Sequence, residues 1–225
     1  MIMERKIKSV VWDVDGTLLN TSEGIIASVI DTLKICGYPP LDQATMESFI
    51  GPPIQHSFQK AFKLDLKSSN QMASVFRKEY KEKNLYKAEL YPGMKKLLIH
   101  LKQRGVQQAV ATYKREDYAK MIVDHFGISS YMDIVCGADF DGKLTKTDII
   151  WNAIQSLKQH YLLDSVVMIG DTMNDAIGAK NLGIPFIAVR YGFGFKSGEE
   201  LEKLEALKCI GIAENVEELG NLLEG

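Results

Sequence analysis

The stretch SVVWDVDGTL, residues 9–18, decides how the rest of the chain is read. Val10, Val11 and Trp12 form an apolar, β-prone run, which predicts a buried strand. That run passes directly into Asp13 and Asp15. Side chains two apart on a strand share a face, so the two carboxylates are expected side by side at the strand's end. Like charges that close repel, and one pKa rises unless a cation lies between them. The pair therefore implies a bound cation, a carboxyl that carries a proton, or both.

The surrounding chain is consistent with a folded domain built around such a strand. Its 225 residues are enough for one or two domains, with 46% hydrophobic and 25% charged residues. A net charge of −2 offers no footprint for nucleic acid or an anionic membrane surface. No apolar run approaches a membrane span, and the N-terminal MIMERKIKSVVW has no signal-peptide core. Cys36, Cys136 and Cys209 are scattered and odd in number, which predicts buried free thiols in a reducing compartment. A cytoplasmic protein, monomeric or weakly dimeric, is expected.

From residue 86 onward, helical and strand patterns alternate. MKKLLIHLKQRG (94–105), REDYAKMIVDHFG (115–127), TDIIWNAIQSLKQHY (147–161), NDAIGAKNLG and VEELGNLLE read as helices. VQQAVAT, DIVCG, SVVMIG (165–170), PFIAV and CIGIA read as strands. This rhythm predicts an α/β fold with a parallel sheet covered on both faces. Residues 20–85 break it, holding helical patterns and no strand. EGIIASVIDTLKICG carries a stripe of Ile25, Ile26, Val29, Ile30 and Leu33, and Ser68 with Gln71 has capping-box spacing. The expected organisation is a core of residues 1–19 and 86–225, interrupted by an all-helical insertion at 20–85.

Ligands of open parallel sheets bind beyond the carboxyl ends of the strands. There the sequence places Asp13, Asp15, Gly16 and Thr17 after the first strand, and Thr112, Tyr113 and Lys114 after the next. Lys146 lies before a helix, and Asp171 and Asp175 follow SVVMIG. These acids are also common N-caps and turn formers. Four at matched strand ends exceed what turns need, and without a counter-ion they are costly, so a hard divalent cation is implied. An all-oxygen ligand set favours Mg2+ bound together with a phosphate, whose other oxygens suit the Thr hydroxyl and Lys ammonium. Lys114 and Lys143 compete with Lys146 for that role, and Lys114 is expected to face solvent or the entrance of the following helix.

These residues carry a family resemblance. DVDGTLLN, VATYK, the loop Lys146 and GDTMNDAIGAKNLG resemble, in order, the four motifs of the haloacid dehalogenase superfamily. The insertion resembles that superfamily's helical C1 cap. IGPPIQHSF, YPGMKKLL and RYGFG are similar to its phosphoglycolate-phosphatase and nucleotidase-like branch. The resemblance implies a Rossmann-like doubly wound core and a Mg2+-dependent phosphatase acting on a small phosphorylated metabolite. Asp13 would be the nucleophile forming an aspartyl-phosphate, and Asp15 the acid–base. Asp13, the backbone carbonyl of Asp15, Asp171 and Asp175 would hold Mg2+, while Thr112 and Lys146 hold the phosphoryl group. Gly16, Tyr113, Gln55 and Arg77 are candidates for substrate contact, with His56, Lys60 and Tyr80 also in reach on the insertion. The sequence departs from the family at Tyr113, where Asn or Ser is usual, and at Asn20, where an acid is common. A phosphosugar mutase of the same superfamily and a phospho-Asp signalling or binding protein stay open as alternatives.

Overall fold

The computed structural model describes residues 7–140, 142–157 and 162–224. The chain divides into two compact units, one of Met1–Leu19 with Leu90–Gly225 and one of Asn20–Glu89.

The first unit is built on a six-stranded sheet. Its strands are β1 (Ser9–Trp12), β4 (Gln107–Arg115), β5 (Ile134–Ala138), β6 (Val166–Gly170), β7 (Phe186–Val189) and β8 (Cys209–Ala213). The short segments β2 (Leu19–Asn20) and β3 (Glu89–Leu90) pair where the chain passes between the units. The strand order is β5-β4-β1-β6-β7-β8, with every pairing parallel. This is the doubly wound order, in which the direction of winding reverses beside β1 and opens a crevice at the carboxyl edge. The helices are α5 (Met94–Gln103), α6 (Glu116–His125), α7 (Lys146–Gln155), α8 (Met173–Asn181), α9 (Gly198–Glu205) and α10 (Val216–Glu224). No helix among the described residues is long and apolar enough to cross a membrane.

Alternation along each strand divides the core between the two faces. Val11, Ala109, Ala111, Met168, Phe186 and Ala188 pack with Ile149, Ile150 and Ala153 of α7 and with Ala176 and Ala179 of α8. Trp12, Gln108 and Val110 turn the other way, toward α5. The buried Gln108 donates to the carbonyl of Leu98 in α5 at 2.9 Å and accepts from Trp12 Nε1 at 3.3 Å. A glutamine sealed in a core is tolerated because its own amide oxygen and nitrogen both find partners there.

The second unit contains α1 (Ser22–Cys36), α2 (Gln43–Glu47), α3 (Ile54–Phe62) and α4 (Leu66–Glu79), followed by a π-helical turn at Tyr80–Asn84. Phe49, Phe58, Phe76 and Tyr80 form its aromatic core, and Tyr80 stacks on Phe76 at 5.6 Å between ring centroids. Ile26 and Ile30 are only half-buried, because α1 turns Gly24, Ser28 and Thr32 inward instead.

Several expectations change in detail. The helical unit ends at Glu89 rather than 85, because the π-turn keeps the chain against α1. There Gly24 N–H donates to Lys87 O at 3.0 Å, and Asn84 Nδ2 donates to Ser28 Oγ. A Cβ on Gly24 would lie 2.3 Å from Asn84 O, so only glycine permits that approach. The N-cap of α4 is Asp65, which accepts from Ser68 N–H, so the Ser68–Gln71 capping box does not form. Of the three free cysteines only Cys136 is buried. The tail of the expected helix at 158–161, with His160, lies outside the described residues.

Replacing Gln108 with Met keeps the volume but leaves Trp12 Nε1 and the Leu98 carbonyl without this partner. Denaturant titration is expected to show a loss of about 1–3 kcal/mol.

Candidate active site

Asp13 stands at the carboxyl end of β1. The strand ends at Trp12, one residue before the acids, and the chain turns immediately. Gly16, at φ +83°, accommodates the left-handed step, and its N–H donates to Leu19 O at 2.8 Å. The two carboxylates therefore do not stand as a bare pair. Each is buried, and each takes its own lysine.

Lys146, the first residue of α7, places Nζ 2.6 Å from Asp13 Oδ1 and 2.7 Å from Asp175 Oδ1. Lys114 Nζ lies 3.0 Å from Asp15 Oδ1, with both side chains almost fully buried. Lys114 thus points inward, contrary to the expected solvent-facing side chain. The period-two rule that linked Asp13 to Asp15 accounts for it: Lys114 shares a strand face with the buried Thr112. Lys114 N–H also donates to Thr112 Oγ1 at 3.2 Å. Lys143 is exposed.

Asp171 follows β6, and Asp175 sits in the first turn of α8. Asp175 Oδ2 accepts from Thr172 N–H and Thr172 Oγ1 at 3.1 and 2.7 Å, closing a capping box. Its other oxygen faces Lys146, so the acid is an N-terminal cap and a site group at once. Asp171 Oδ2 accepts from the N–H groups of Phe193 and Gly194 at 2.7 and 3.3 Å. The YGFG turn therefore borders the site through its backbone. Its glycines are needed there: a Cβ on Gly194 would lie 2.2 Å from Asp171 O, and one on Gly192 2.4 Å from Gly16 O. A Cβ on Gly16 would meet Asp171 Oδ2 at 2.1 Å.

Asp171 Oδ1 is buried with no hydrogen-bond partner among the described residues. Asp13, Asp171 and Asp175 each offer a carboxylate oxygen, all within 4.8 Å of one another. Buried carboxylates that close, one with an orphaned oxygen, fit a hard cation. Burial, only partly offset by Lys146 and reinforced by Asp175 and Asp15, pushes the Asp13 carboxyl up to about 7. Burial, with the charges of Asp13 and Asp175, also holds the Asp171 carboxyl well above the usual range. For Lys146 burial acts to lower the pKa, but Asp13 and Asp175 outweigh it and keep the ammonium charged.

In the helical unit the structure brings together Gln55 and Arg77, whose Nη2 donates to the buried Gln55 Oε1 at 3.2 Å. His56 and Lys60 are exposed, while Tyr80 belongs to the aromatic core. Asn20 accepts from Ser22 N–H and Oγ at the start of α1, at 3.2 and 2.7 Å. Tyr113 hydroxyl accepts from Lys146 N–H at 2.9 Å.

Residues 10–189 match the family described as haloacid dehalogenase-like hydrolase. The chain belongs to that family. A Pseudomonas aeruginosa 5′-nucleotidase is 33% identical over 187 residues, spanning 83% of this chain and 84% of that protein. The tyrosine-protein kinase PtkA of Mycobacterium bovis is 33% identical over 186 residues, spanning 82% of this chain and 62% of that longer protein. The crystal structure of a predicted phosphatase from Clostridium acetobutylicum matches with a TM-score of 0.88 and 35% identity, covering 97% of this chain and 99% of that one. Among haloacid dehalogenase-like hydrolases, the likeness to the predicted phosphatase, and to a Vibrio cholerae phosphoglycolate phosphatase 25% identical over 210 residues (89% of this chain, 91% of that protein), marks the chain as an enzyme of the phosphatase class.

Two expectations follow from this geometry. A carboxyl whose pKa is higher folded than unfolded binds more protons in the folded state, so Asp13 makes stability fall as pH rises from 3.8 toward about 7. A divalent cation that binds the carboxylates opposes that fall. Excess Mg2+ is expected to raise the melting temperature more at about pH 7 than at about pH 5, read by thermal denaturation. Gly194→Ala forces a Cβ into the Asp171 backbone, where nothing can rotate away. A loss of about 1–3 kcal/mol in denaturant titration and weaker Mg2+ binding in calorimetry are expected.

Proposed function

We propose that this hydrolase is a Mg2+-dependent phosphomonoesterase that cleaves a small phosphorylated metabolite through an aspartyl-phosphate on Asp13. The observation that carries the reading is the separation of two buried acid–lysine pairs at one sheet edge, Asp13 with Lys146 and Asp15 with Lys114. Two acids with different partners suit two different roles.

In the first step an Asp13 carboxylate oxygen attacks phosphorus and the bond from phosphorus to the ester oxygen breaks. Asp15, in its protonated form, gives its proton to the departing oxygen. In the second step Asp15 takes a proton from water as that water attacks phosphorus. The bond between phosphorus and Asp13 breaks, releasing phosphate and restoring the carboxylate. Thr112 and Lys146 hold the phosphoryl oxygens, where an ammonium and a hydroxyl stabilise the charge of the transition state. Asp13, Asp171, Asp175 and the Asp15 carbonyl would hold Mg2+, which would supply positive charge to neutralise the carboxylates and the phosphate. In this reading the helical unit is a cap that selects the substrate, through residues such as Gln55 and Arg77. The family resemblance and the nucleotidase relative favour a phosphoglycolate-like acid or a nucleotide.

A panel of phosphate esters, assayed with Mg2+ and with excess chelator, tests the reading. Phosphate release that needs Mg2+ is expected, and full activity in chelator would overturn the metal assignment. Asp13→Asn keeps the shape but removes the nucleophile, so kcat is expected to fall by at least ~100-fold. Release of phosphate by that variant near the wild-type rate would mean a different nucleophile. Transfer of phosphate within a sugar, without release, would favour a mutase.

A further inference from the structure

Tyr113 lies at the carboxyl end of β4, on the strand face that carries Ala109 and Ala111 toward α7. Its phenol oxygen accepts from the backbone N–H of Lys146 at 2.9 Å. That N–H belongs to the first residue of α7, one of the donors a helix cannot pair within itself. Two donors of the same turn are met locally: Thr145 N–H by Asp148 Oδ2 at 2.9 Å and Asp148 N–H by Thr145 Oγ1 at 3.2 Å. This local capping box leaves the Lys146 donor, and β4 supplies its acceptor. The ring centroid of Tyr113 also lies 5.6 Å from Lys146 Nζ, within reach of a cation–π attraction. On another side Gly178 of α8 packs against both Ile150 and the lysine stem, since a Cβ there would come 2.7 Å from Ile150 Cδ1 and 3.3 Å from Lys146 Cγ.

We propose that Tyr113 is a positioning residue for Lys146. It ties the start of α7 to the end of β4 and steadies the lysine at both its backbone and its ammonium. The proposal rests on the phosphatase reading and deepens it, because Lys146 is the group that bridges Asp13 and Asp175. A small displacement of a charge-stabilising group weakens transition-state binding more than substrate binding, so the effect belongs in kcat.

Tyr113→Phe removes the acceptor and keeps the ring. Its kcat is expected to fall about tenfold with KM changed less than about twofold, the scale of one hydrogen bond. In a Lys146→Ala background the same replacement should cause no further loss, because Tyr113 acts only through Lys146. Equal losses in both backgrounds, or no loss in either, would overturn the proposal. Amide hydrogen exchange supplies a readout independent of turnover. The Lys146 amide is expected to exchange about tenfold faster in Tyr113→Phe, with the amides of β1 and β6 unchanged. Unchanged exchange at Lys146 overturns the proposal whatever the protein hydrolyses. A wild-type protein that releases no phosphate from any ester defeats the functional reading instead, and exchange alone then decides the role of Tyr113.

Discussion

Lys146 sits between Asp13 and Asp175 with its ammonium sealed from solvent, and the carboxyl edge of the sheet is organised around that contact. An isolated buried charge is prohibitively costly, whereas a pair within hydrogen-bond distance recovers much of the loss through attraction in a medium of low dielectric. Lys114 does the same for Asp15. Four buried carboxylates against two buried ammonium groups still leave a deficit of two positive charges, the charge of one divalent cation. Burial first, and then the neighbouring carboxylates, hold the Asp13 and Asp171 carboxyls above their ordinary range, in keeping with that deficit.

Aspartate is short, so converging carboxylates need converging backbones. Glycines make this possible at several points. Gly16, Gly192 and Gly194 close around Asp171, and Gly170 leaves room for Asp175, whose Cγ would lie 2.3 Å from a Cβ there. The outcome is a site whose acids are aimed by main-chain geometry as much as by side-chain packing. Phe193 and Gly194 N–H groups hold one oxygen of Asp171 and leave the other unpaired. That arrangement keeps the carboxylate from rotating while its second oxygen stays available to a ligand, which is the preorganisation that charge-stabilising sites require.

The helical unit is built differently. Its interior is aromatic, and two of its cationic side chains meet buried partners, Arg77 the amide of Gln55 and Lys83 the carboxylate of Glu79. None of the four acids of the site belongs to it. Substitutions confined to the insertion leave those four acids in place.

The sequence by itself determined the sheet, through the alternation of β-branched runs with helical periods, and it determined which residues form the charged edge. Asp13, Asp15, Asp171, Asp175, Thr112 and Lys146 were legible because each follows or precedes a recognisable element at the same end of the sheet. The inward turn of Lys114 went against the sequence reading, in which a charged residue at a strand's end is solvated, although its two-residue spacing to Thr112 carried the signal. Only the tertiary structure decided which lysine meets which acid, that the 192–194 turn clasps Asp171, and that Gln108 and Tyr113 reach across to α5 and α7. These contacts join residues between 10 and 133 apart in the chain, from Gln108 with Leu98 to Lys146 with Asp13. Local periodicity reports the face a side chain occupies. It carries no information about the partner that a distant element brings to that face, because the partner is chosen by packing of the whole sheet and its helices.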